Sequence, residues 1–177
     1  MALSQEKVHT IEDIYALPDG QRAELIDGEM YMLAPPSSRH QEILMNLSSS
    51  IHQYIKYGQG DCKVFPAPFA VFLNEDDRTY VEPDISVICD KSKLDDRGCN
   101  GAPDWVIEIV SPSSKRMDYL IKLLKYQKAG VKEYWVVDPE RKSVMVYDFA
   151  GGDADTYSFK DEIPVGIYDG DLKIKIE

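Results

Sequence analysis

Residues 104–113, DWVIEIVSPS, constrain the fold more than any other stretch of this chain. Successive side chains of a strand point to opposite faces. One face of the predicted strand is wholly apolar: Trp105, Ile107 and Ile109. The other face places Glu108 between Val106 and Val110. An ionised glutamate between two valines is costly unless it is paired, hydrogen-bonded or bound to a metal. The sequence therefore predicts a buried strand whose carboxylate needs a partner.

The size and composition of the chain fit one globular domain, with 177 residues of which 44% are hydrophobic. We expect a single domain over 1–177, with a helix and hairpin extension over 1–37, a core over 38–138 and further strands over 139–177. The net charge of -11 counts against a partner as acidic as nucleic acid. Residues 113–142 nevertheless hold eight basic and four acidic side chains, a local excess of +4 that a solvated helix face would also explain.

The cysteines and histidines show no metal-binding spacing. Cys62, Cys89 and Cys99 form no C-x-x-C pair, and we see no signal peptide and no apolar run long enough to span a membrane. These features favour a reducing cytoplasm. The HQE stretch at His40 matches half of a zinc deaminase signature, but the P-C-x-x-C half is missing, so we do not expect a zinc site.

Helix and strand patterns succeed one another along the chain. We expect a short helix capped by Thr10, a hairpin that turns at Asp27-Gly28, and a long helix over about 38–57. Two strands, CKVFPAPFAVFLN and YVEPDISVIC, precede the strand of residues 105–110. A helix over about 113–130 and the core strand KEYWVVD follow, with edge strands after them. This order predicts an α/β (α+β) fold with a mixed central sheet flanked by helices.

Two carboxylates of neighbouring predicted strands could form a site. Asp84 lies 24 residues before Glu108, and adjacent antiparallel strands could bring both to one face, where they could share a divalent cation that prefers oxygen ligands. Alternatively, Pro83-Asp84 is a turn that leads into the strand, and Glu108 pairs with a basic residue of the core. The spacing alone leaves both interpretations open.

Lys122 lies on the predicted second long helix with apolar neighbours at helical spacing, Tyr119, Leu123 and Tyr126. It is therefore either a structural lysine that extends along an apolar surface or a cation placed in a site. One metal, two acids and one lysine would suit the attack of water on a phosphodiester, because the metal polarises the phosphate and the ammonium stabilises developing charge.

Several blocks, ELIDGEMYMLAPPSSRHQ, APFAVFL, VEPDISVICD and the run from DRGCNGAPDW to KEYWVVDP, resemble in this order the Uma-two family of endonuclease-like proteins. That family is a branch of the PD-(D/E)XK nuclease superfamily with the restriction-endonuclease-like fold. The resemblance covers about residues 24–138. It implies a core of helix, three-stranded meander, helix and strand, a metal-dependent endonuclease that acts on DNA with Mg²⁺ or Mn²⁺, and a homodimer.

The resemblance also assigns residues to the motif. The "PD" of the superfamily falls on Pro83-Asp84, and its second acid falls on Glu108. The superfamily motif has a lysine at the position that Val110 occupies here. In the Uma-two family a lysine on the following helix replaces it, and Lys122 matches that position. The resemblance thus implies that Asp84 and Glu108 hold the metal and that Lys122 assists the attacking water.

Three further positions follow from the same resemblance. The carbonyl of Ile109 is expected to be a third metal ligand. Glu24 matches a position for an extra acid near the metal, although it could merely form a cross-strand pair. His40 matches a position near the phosphate at the start of a helix, although it could merely cap that helix.

Two other functional classes make different demands on these residues. A catalytically inactive nuclease-like fold could serve as a binding or scaffolding module, which the charge of -11 and the displaced lysine favour and which predicts no metal binding. A glycosidase with two carboxylates fits poorly, because such a site needs no companion lysine and the chain has only two tryptophans to stack on sugars.

Overall fold

The computed structural model describes residues 8–58 and 60–177, so residues 1–7 of the expected extension over 1–37 lie outside the described part. The helices are α1 (Ile11–Tyr15), α2 (Ser38–Tyr57) and α3 (Lys122–Ala129), with a π-helical segment (Met117–Ile121) directly before α3. The strands are β1 (Ala23–Ile26), β2 (Glu29–Met32), β3 (Lys63–Pro66), β4 (Val71–Phe72), β5 (Ile85–Ile88), β6 (Leu94–Asp95), β7 (Gly98–Asn100), β8 (Trp105–Ile109), β9 (Glu133–Asp138), β10 (Ser143–Asp148), β11 (Asp153–Ser158), β12 (Ile163–Pro164) and β13 (Lys173–Ile174).

A six-stranded mixed sheet in the order β11-β10-β9-β8-β5-β3 forms the centre of the fold. Strand β8 is antiparallel to β5 and parallel to β9, while the other neighbours in this sheet are antiparallel. A parallel pair needs a crossover, and the π-helical segment with α3 supplies it between β8 and β9. The mixed sheet and the order of its elements confirm the predicted fold class.

The alternation predicted for β8 agrees with the two apolar layers of the structure. Trp105, Ile107 and Ile109 belong to the layer that α2 covers with Ile43, Leu47 and Ile51. Val106 and Val110 belong to the opposite layer, which α3 covers with Tyr126. Both faces of β8 are therefore buried, and Glu108 lies in the second layer with the two valines on either side of it.

The N-terminal part follows local sequence signals closely. Thr10 is the N-cap of α1, as predicted, and Asp27 and Gly28 form the turn between β1 and β2 with φ angles of 53° and 85°. Positive φ at both central residues is what a tight hairpin turn requires. Backbone hydrogen bonds of 2.7 Å in both directions between Leu25 and Tyr80 attach this hairpin to the rest of the fold.

The structure corrects the predicted boundaries of two strands. The stretch 62–74 is split into β3 and β4, and β4 pairs with β7 in a separate three-stranded sheet. Strand β5 begins at Ile85, so Asp84 lies one residue before the strand rather than within it. Pro83 has no backbone N–H to contribute to a ladder, which accounts for the late start of the strand.

The predicted helix over about 113–130 is also corrected. Its first part is the π-helical segment, in which the N–H of Lys122 bonds to the carbonyl of Met117, five residues earlier. The hydroxyl of Tyr134 donates to the carbonyl of Asp118 within that segment at 2.9 Å. No residue pattern in the sequence predicts this wider turn, which occurs in proteins mostly as a single turn inserted into an α-helix.

Cys62 and Cys89 form a disulfide beside the paired strands β3 and β5, a pairing that the cysteine spacing did not reveal. Cys99 is free and buried. Among residues 8–58 and 60–177, no helix is both long enough and apolar enough to cross a membrane.

Candidate active site

The sheet register brings Asp84 and Glu108 together. Ile85 is paired with Ile107 across β5 and β8, which places the preceding Asp84 opposite Glu108. The Asp84 carboxylate accepts the N–H of Ile109 through Oδ2 at 2.7 Å, and the N–H of Asp84 lies 3.4 Å from Glu108 Oε2. The two acids therefore meet where β5 begins and β8 ends.

Glu108 is only 4% exposed and is hydrogen-bonded to two buried side chains. Its Oε1 accepts hydrogen bonds from Lys122 Nζ at 2.9 Å and from the hydroxyl of Tyr126 at 2.7 Å. Burial, and then the nearby carboxylates Asp118, Asp84 and Glu24, raises the pKa of Glu108 well above its usual value, although Lys122 opposes this shift. The carboxylate in the buried strand is thus paired with a lysine and still lies in a strongly negative environment.

Lys122 is 5% exposed, and its ammonium group is surrounded by acids. Its Nζ lies 2.9 Å and 2.8 Å from the two carboxylate oxygens of Glu24, 2.9 Å from Glu108 Oε1 and 3.7 Å from Asp118 Oδ1. Burial alone would lower the pKa of Lys122, but Glu108, Glu24 and Asp118 together raise it well above its usual value. The lysine is charged at neutral pH and is fully engaged by acids, rather than extending toward solvent.

Glu24 does more than pair across its hairpin. Strand β1 is entirely buried, and the Glu24 side chain extends from it to Lys122, 98 residues later in the chain. Its Oε1 also accepts the N–H of Glu82 at 2.9 Å. The N-terminal hairpin therefore contributes one of the two acids that hold the lysine.

His40 is not the cap of α2. The cap is Ser37, whose hydroxyl oxygen accepts the N–H of His40 at 3.2 Å. The His40 ring extends to the site, where Nε2 lies 3.1 Å from Asp84 Oδ2. Burial lowers the pKa of His40, but Asp84 and the Ile109 carbonyl more than offset this effect, so the pKa is raised.

Asp118 and Tyr126 are site residues that no motif of the sequence marks. Asp118 is 3% exposed and precedes Lys122 by four residues, a spacing that could have drawn attention to it. Burial, and then the charges of Glu24 and Asp84, raises the pKa of Asp118, against the effect of Lys122 and Ser114. From its spacing, Tyr126 is predicted only to be an apolar neighbour of Lys122, because the sequence does not show where its hydroxyl points.

The site opens into a cleft of about 680 Å³. Its walls include the segment before α2 and the segment between β8 and the π-helical segment, with Pro35, Pro36, Ser111 and Ser113 among the lining residues. Asp84, Glu108, His40 and Lys122 also line it. A ligand in the cleft would therefore approach both carboxylates.

The basic strip of residues 113–142 is largely neutralised. Lys115 lies 2.6 Å from Glu140, and Lys125 pairs with Asp27. Lys132 pairs with Asp104 at 2.7 Å. The local excess of positive charge is therefore spread over ion pairs within the protein and does not form an open track for phosphates.

The donor set of the site fits one divalent cation. Three carboxylates lie close to the ammonium of Lys122, those of Glu24, Glu108 and Asp118, and Asp84 lies beside Glu108. Among the described residues, no three His, Cys, Asp or Glu side chains are arranged to hold a metal by themselves. Asp84 and Glu108 could hold an ion together with the Ile109 carbonyl and water, and such oxygen ligands suit Mg²⁺ or Mn²⁺.

A solved structure shares the fold of this chain. The crystal structure of a putative nuclease belonging to DUF820 from Anabaena variabilis ATCC 29413 superposes with a TM-score of 0.76, covering 94% of each chain at 23% sequence identity. Together with the sheet order, this similarity confirms the restriction-endonuclease-like fold. The model of the Uma2 family, described as "Putative restriction endonuclease", matches residues 11–165. The chain belongs to the Uma2 family, as its sequence blocks predicted.

Two curated relatives come from Synechocystis sp. (strain PCC 6803). The chain is 26% identical over 98 residues to "Uncharacterized protein slr1290", which covers 55% of this chain and 50% of the relative. It is 25% identical over 121 residues to "Uncharacterized protein sll1609", which covers 67% of each chain. The match thus spans half the length of the first relative and about two thirds of the second.

Proposed function

We propose that this protein is a metal-dependent endonuclease that hydrolyses phosphodiester bonds in DNA. The observation that carries the proposal is the meeting of Asp84 and Glu108 at the ends of two paired strands, on a cleft and beside a buried lysine. The family and the fold support a nuclease. DNA as the substrate and the residue roles given below are our proposal.

Asp84, Glu108 and the carbonyl of Ile109 would hold Mg²⁺ or Mn²⁺. Asp84 receives its hydrogen bonds from Ile109 and His40 on Oδ2, which leaves Oδ1 without a described partner. Glu108 receives Lys122 and Tyr126 on Oε1 and has only the long contact to Asp84 N–H on Oε2. When bound, the metal polarises the phosphate and lowers the pKa of the attacking water.

Lys122 supplies a fixed positive charge next to this pair. An ammonium group has three hydrogens, and the described contacts direct them at Glu24 and Glu108. To assist the attacking water, Lys122 has to release one of these contacts, while Glu24 keeps the group close to the reacting phosphate. In either position its charge stabilises the negative charge that develops during hydrolysis.

His40 would act at the edge of the cleft. Its contact with Asp84 orients the aspartate, and its raised pKa favours the imidazolium form, which attracts a phosphate. The ring lies at the start of α2, where backbone N–H groups also favour anions.

The partners and the setting of the enzyme are part of the proposal. DNA follows from the nuclease class, and a homodimer follows by analogy with the superfamily. A cytoplasmic location likewise stays a prediction, and the Cys62–Cys89 disulfide counts against the reducing setting on which it was based. Light scattering during size-exclusion chromatography would test the dimer, since a mass near 20.1 kDa at micromolar concentration would contradict it.

A binding or scaffolding module without catalysis is the second candidate. The pairing of Lys115, Lys125 and Lys132 within the protein favours it, because these lysines are not free to bind phosphates. This candidate predicts neither saturable metal binding nor cleavage.

Plasmid cleavage with Mg²⁺ tests the proposal directly. We expect Asp84→Asn and Glu108→Gln to reduce the cleavage rate by at least about 100-fold, a typical cost of removing one charge-stabilising group. Lys122→Ala should also reduce it. A matched control is Asp104→Asn, because Asp104 also follows a proline before a buried strand but pairs with Lys132.

The outcomes separate the two candidates. Cleavage that is undiminished in Asp84→Asn, Glu108→Gln and Lys122→Ala would contradict the proposed site. Absence of both cleavage and Mn²⁺ binding in the wild type would favour the scaffolding module. Loss of cleavage in the Asp104→Asn control to the same extent would point to a general loss of folding instead of a local effect.

A further inference from the structure

Helix α3 brings two side chains to one oxygen atom of Glu108. Lys122 Nζ donates to Oε1 at 2.9 Å, and Tyr126, one helical turn later, donates its hydroxyl to the same atom at 2.7 Å. Oε1 thus has two strong donors, one of them charged.

The other oxygen of Glu108 has a different environment. Among the described residues, Oε2 has one contact, the N–H of Asp84 at 3.4 Å, which is long for a hydrogen bond. The two oxygens of a carboxylate are rigidly linked, so donors that hold Oε1 also set the direction of Oε2. Here Oε2 is held on the side of Asp84, where the proposed metal would bind.

Tyr126 is better suited than Lys122 to keep this orientation. Its side chain is fully buried, and its ring meets that of Tyr134 edge-on with the ring centres 5.0 Å apart. A tyrosine side chain has few rotatable bonds, whereas Lys122 is flexible and divides its hydrogens between Glu24 and Glu108. Tyr126 can therefore hold Glu108 while Lys122 changes partner.

We propose that Tyr126 is a positioning residue that orients Glu108 for metal binding through Oε2. This inference rests on the proposed function, because it takes Glu108 as a metal ligand. Tyr126 itself touches neither metal nor substrate. Its hydroxyl keeps Oε1 occupied when Lys122 turns toward the reacting phosphate, so the geometry of the ligand survives that movement.

Calorimetric titration with Mn²⁺ tests the role without measuring cleavage. We expect Tyr126→Phe to raise the dissociation constant for Mn²⁺ by about 10- to 100-fold, the usual effect of removing a group that orients a metal ligand. The matched control is Tyr80→Phe, since the Tyr80 hydroxyl donates at 2.8 Å to Glu82, a carboxylate outside the proposed metal pair. For this control we expect a change of less than about twofold.

A second measurement is the Mg²⁺ dependence of plasmid cleavage. In Tyr126→Phe, the Mg²⁺ concentration for half-maximal rate should rise in parallel with the Mn²⁺ dissociation constant, while the rate at saturating Mg²⁺ falls less. Titrations at 10 °C, with the thermal unfolding midpoint of each variant recorded, keep the comparison within folded protein.

The controls separate the positioning role of Tyr126 from the proposed metal-dependent function. If the wild type binds Mn²⁺, Glu108→Gln abolishes binding and Tyr126→Phe binds as the wild type does, the positioning role is overturned and the proposed function stands. Equal weakening in Tyr80→Phe and Tyr126→Phe would also overturn it. If the wild type shows no saturable Mn²⁺ binding, the proposed metal-dependent function fails, and the inference fails with it.

Discussion

Replacing Lys122 by methionine should lower the free energy of unfolding by about 3–5 kcal/mol at pH 7 in metal-free buffer, because breaking a buried ion pair leaves uncompensated charges in the core. The ammonium lies within 2.9 Å of both Glu24 and Glu108, and each of these acids is at most 4% exposed. Methionine keeps the length of the side chain, so packing changes little.

The loss should also depend on pH in a defined direction. The pKa of Glu108 is already raised in the folded protein, and removal of the lysine raises it further. A carboxyl group whose pKa is higher in the folded than in the unfolded protein binds a proton on folding, so stability rises as the pH falls toward the unfolded value of about 4.3. The difference between wild type and variant should therefore shrink from pH 7.5 to pH 5.

Urea unfolding followed by circular dichroism at both pH values measures the effect. Lys125→Met is a matched control on the same helix, because Lys125 pairs with Asp27 near the surface, where an ion pair contributes about 0–1 kcal/mol. The double variant Lys122→Met with Glu24→Gln should recover part of the loss, since one buried charge is removed. Equal losses in Lys122→Met and Lys125→Met, or a loss that is the same at both pH values, would refute the reasoning.

Three further changes have expected outcomes in the same unfolding assay. Burial raises the pKa of Asp104, but Lys132 and the Cys89 N–H outweigh this effect and lower the pKa, so the ionised form stabilises the fold. The loss of unfolding free energy in Asp104→Asn should therefore be present at pH 7 and fade below about pH 4. A loss that grows in acid would contradict this. Reduction of the Cys62–Cys89 disulfide, which closes a loop of sequence separation 27, should cost about 3–4 kcal/mol, and an unchanged urea midpoint in dithiothreitol would contradict a formed bond. Ser37→Ala should cost about 1 kcal/mol through loss of the α2 cap, whereas a cost near zero would show that the cap contributes nothing.

The parts of the fold that were predictable are those with strong local signals. The apolar spacing of α2, the Asp27-Gly28 turn and the alternation along β8 each depend on residues close together in the chain. The parallel pairing of β4 with β7 was not predictable in this way, because it joins Val71 to Cys99 through distant contacts of a two-residue strand. The late start of β5 has a local cause in Pro83, which has no N–H for the ladder.

Some residues of the candidate site were likewise predictable from their immediate surroundings in the sequence, and others were not. The need of Glu108 for a partner followed from burial alone, and the structure supplies that partner in Lys122. Glu24 and His40 depended on the family resemblance, since their own surroundings allowed a cross-strand pair or a helix cap. Tyr126 was missed because a tyrosine at helical spacing resembles any other core aromatic until the position of its hydroxyl is known.

The contact between Glu24 and Lys122 spans 98 residues of the chain. At a synthesis rate of about 5–20 residues per second, about 5–20 s separate the appearance of these two side chains on the ribosome. A contact between residues this far apart in sequence requires closure of the long segment between them, which makes such contacts slow to form. The lysine thus cannot take its place between Glu24 and Glu108 until residue 122 has been made, so a growing chain that stops short of it has no completed site.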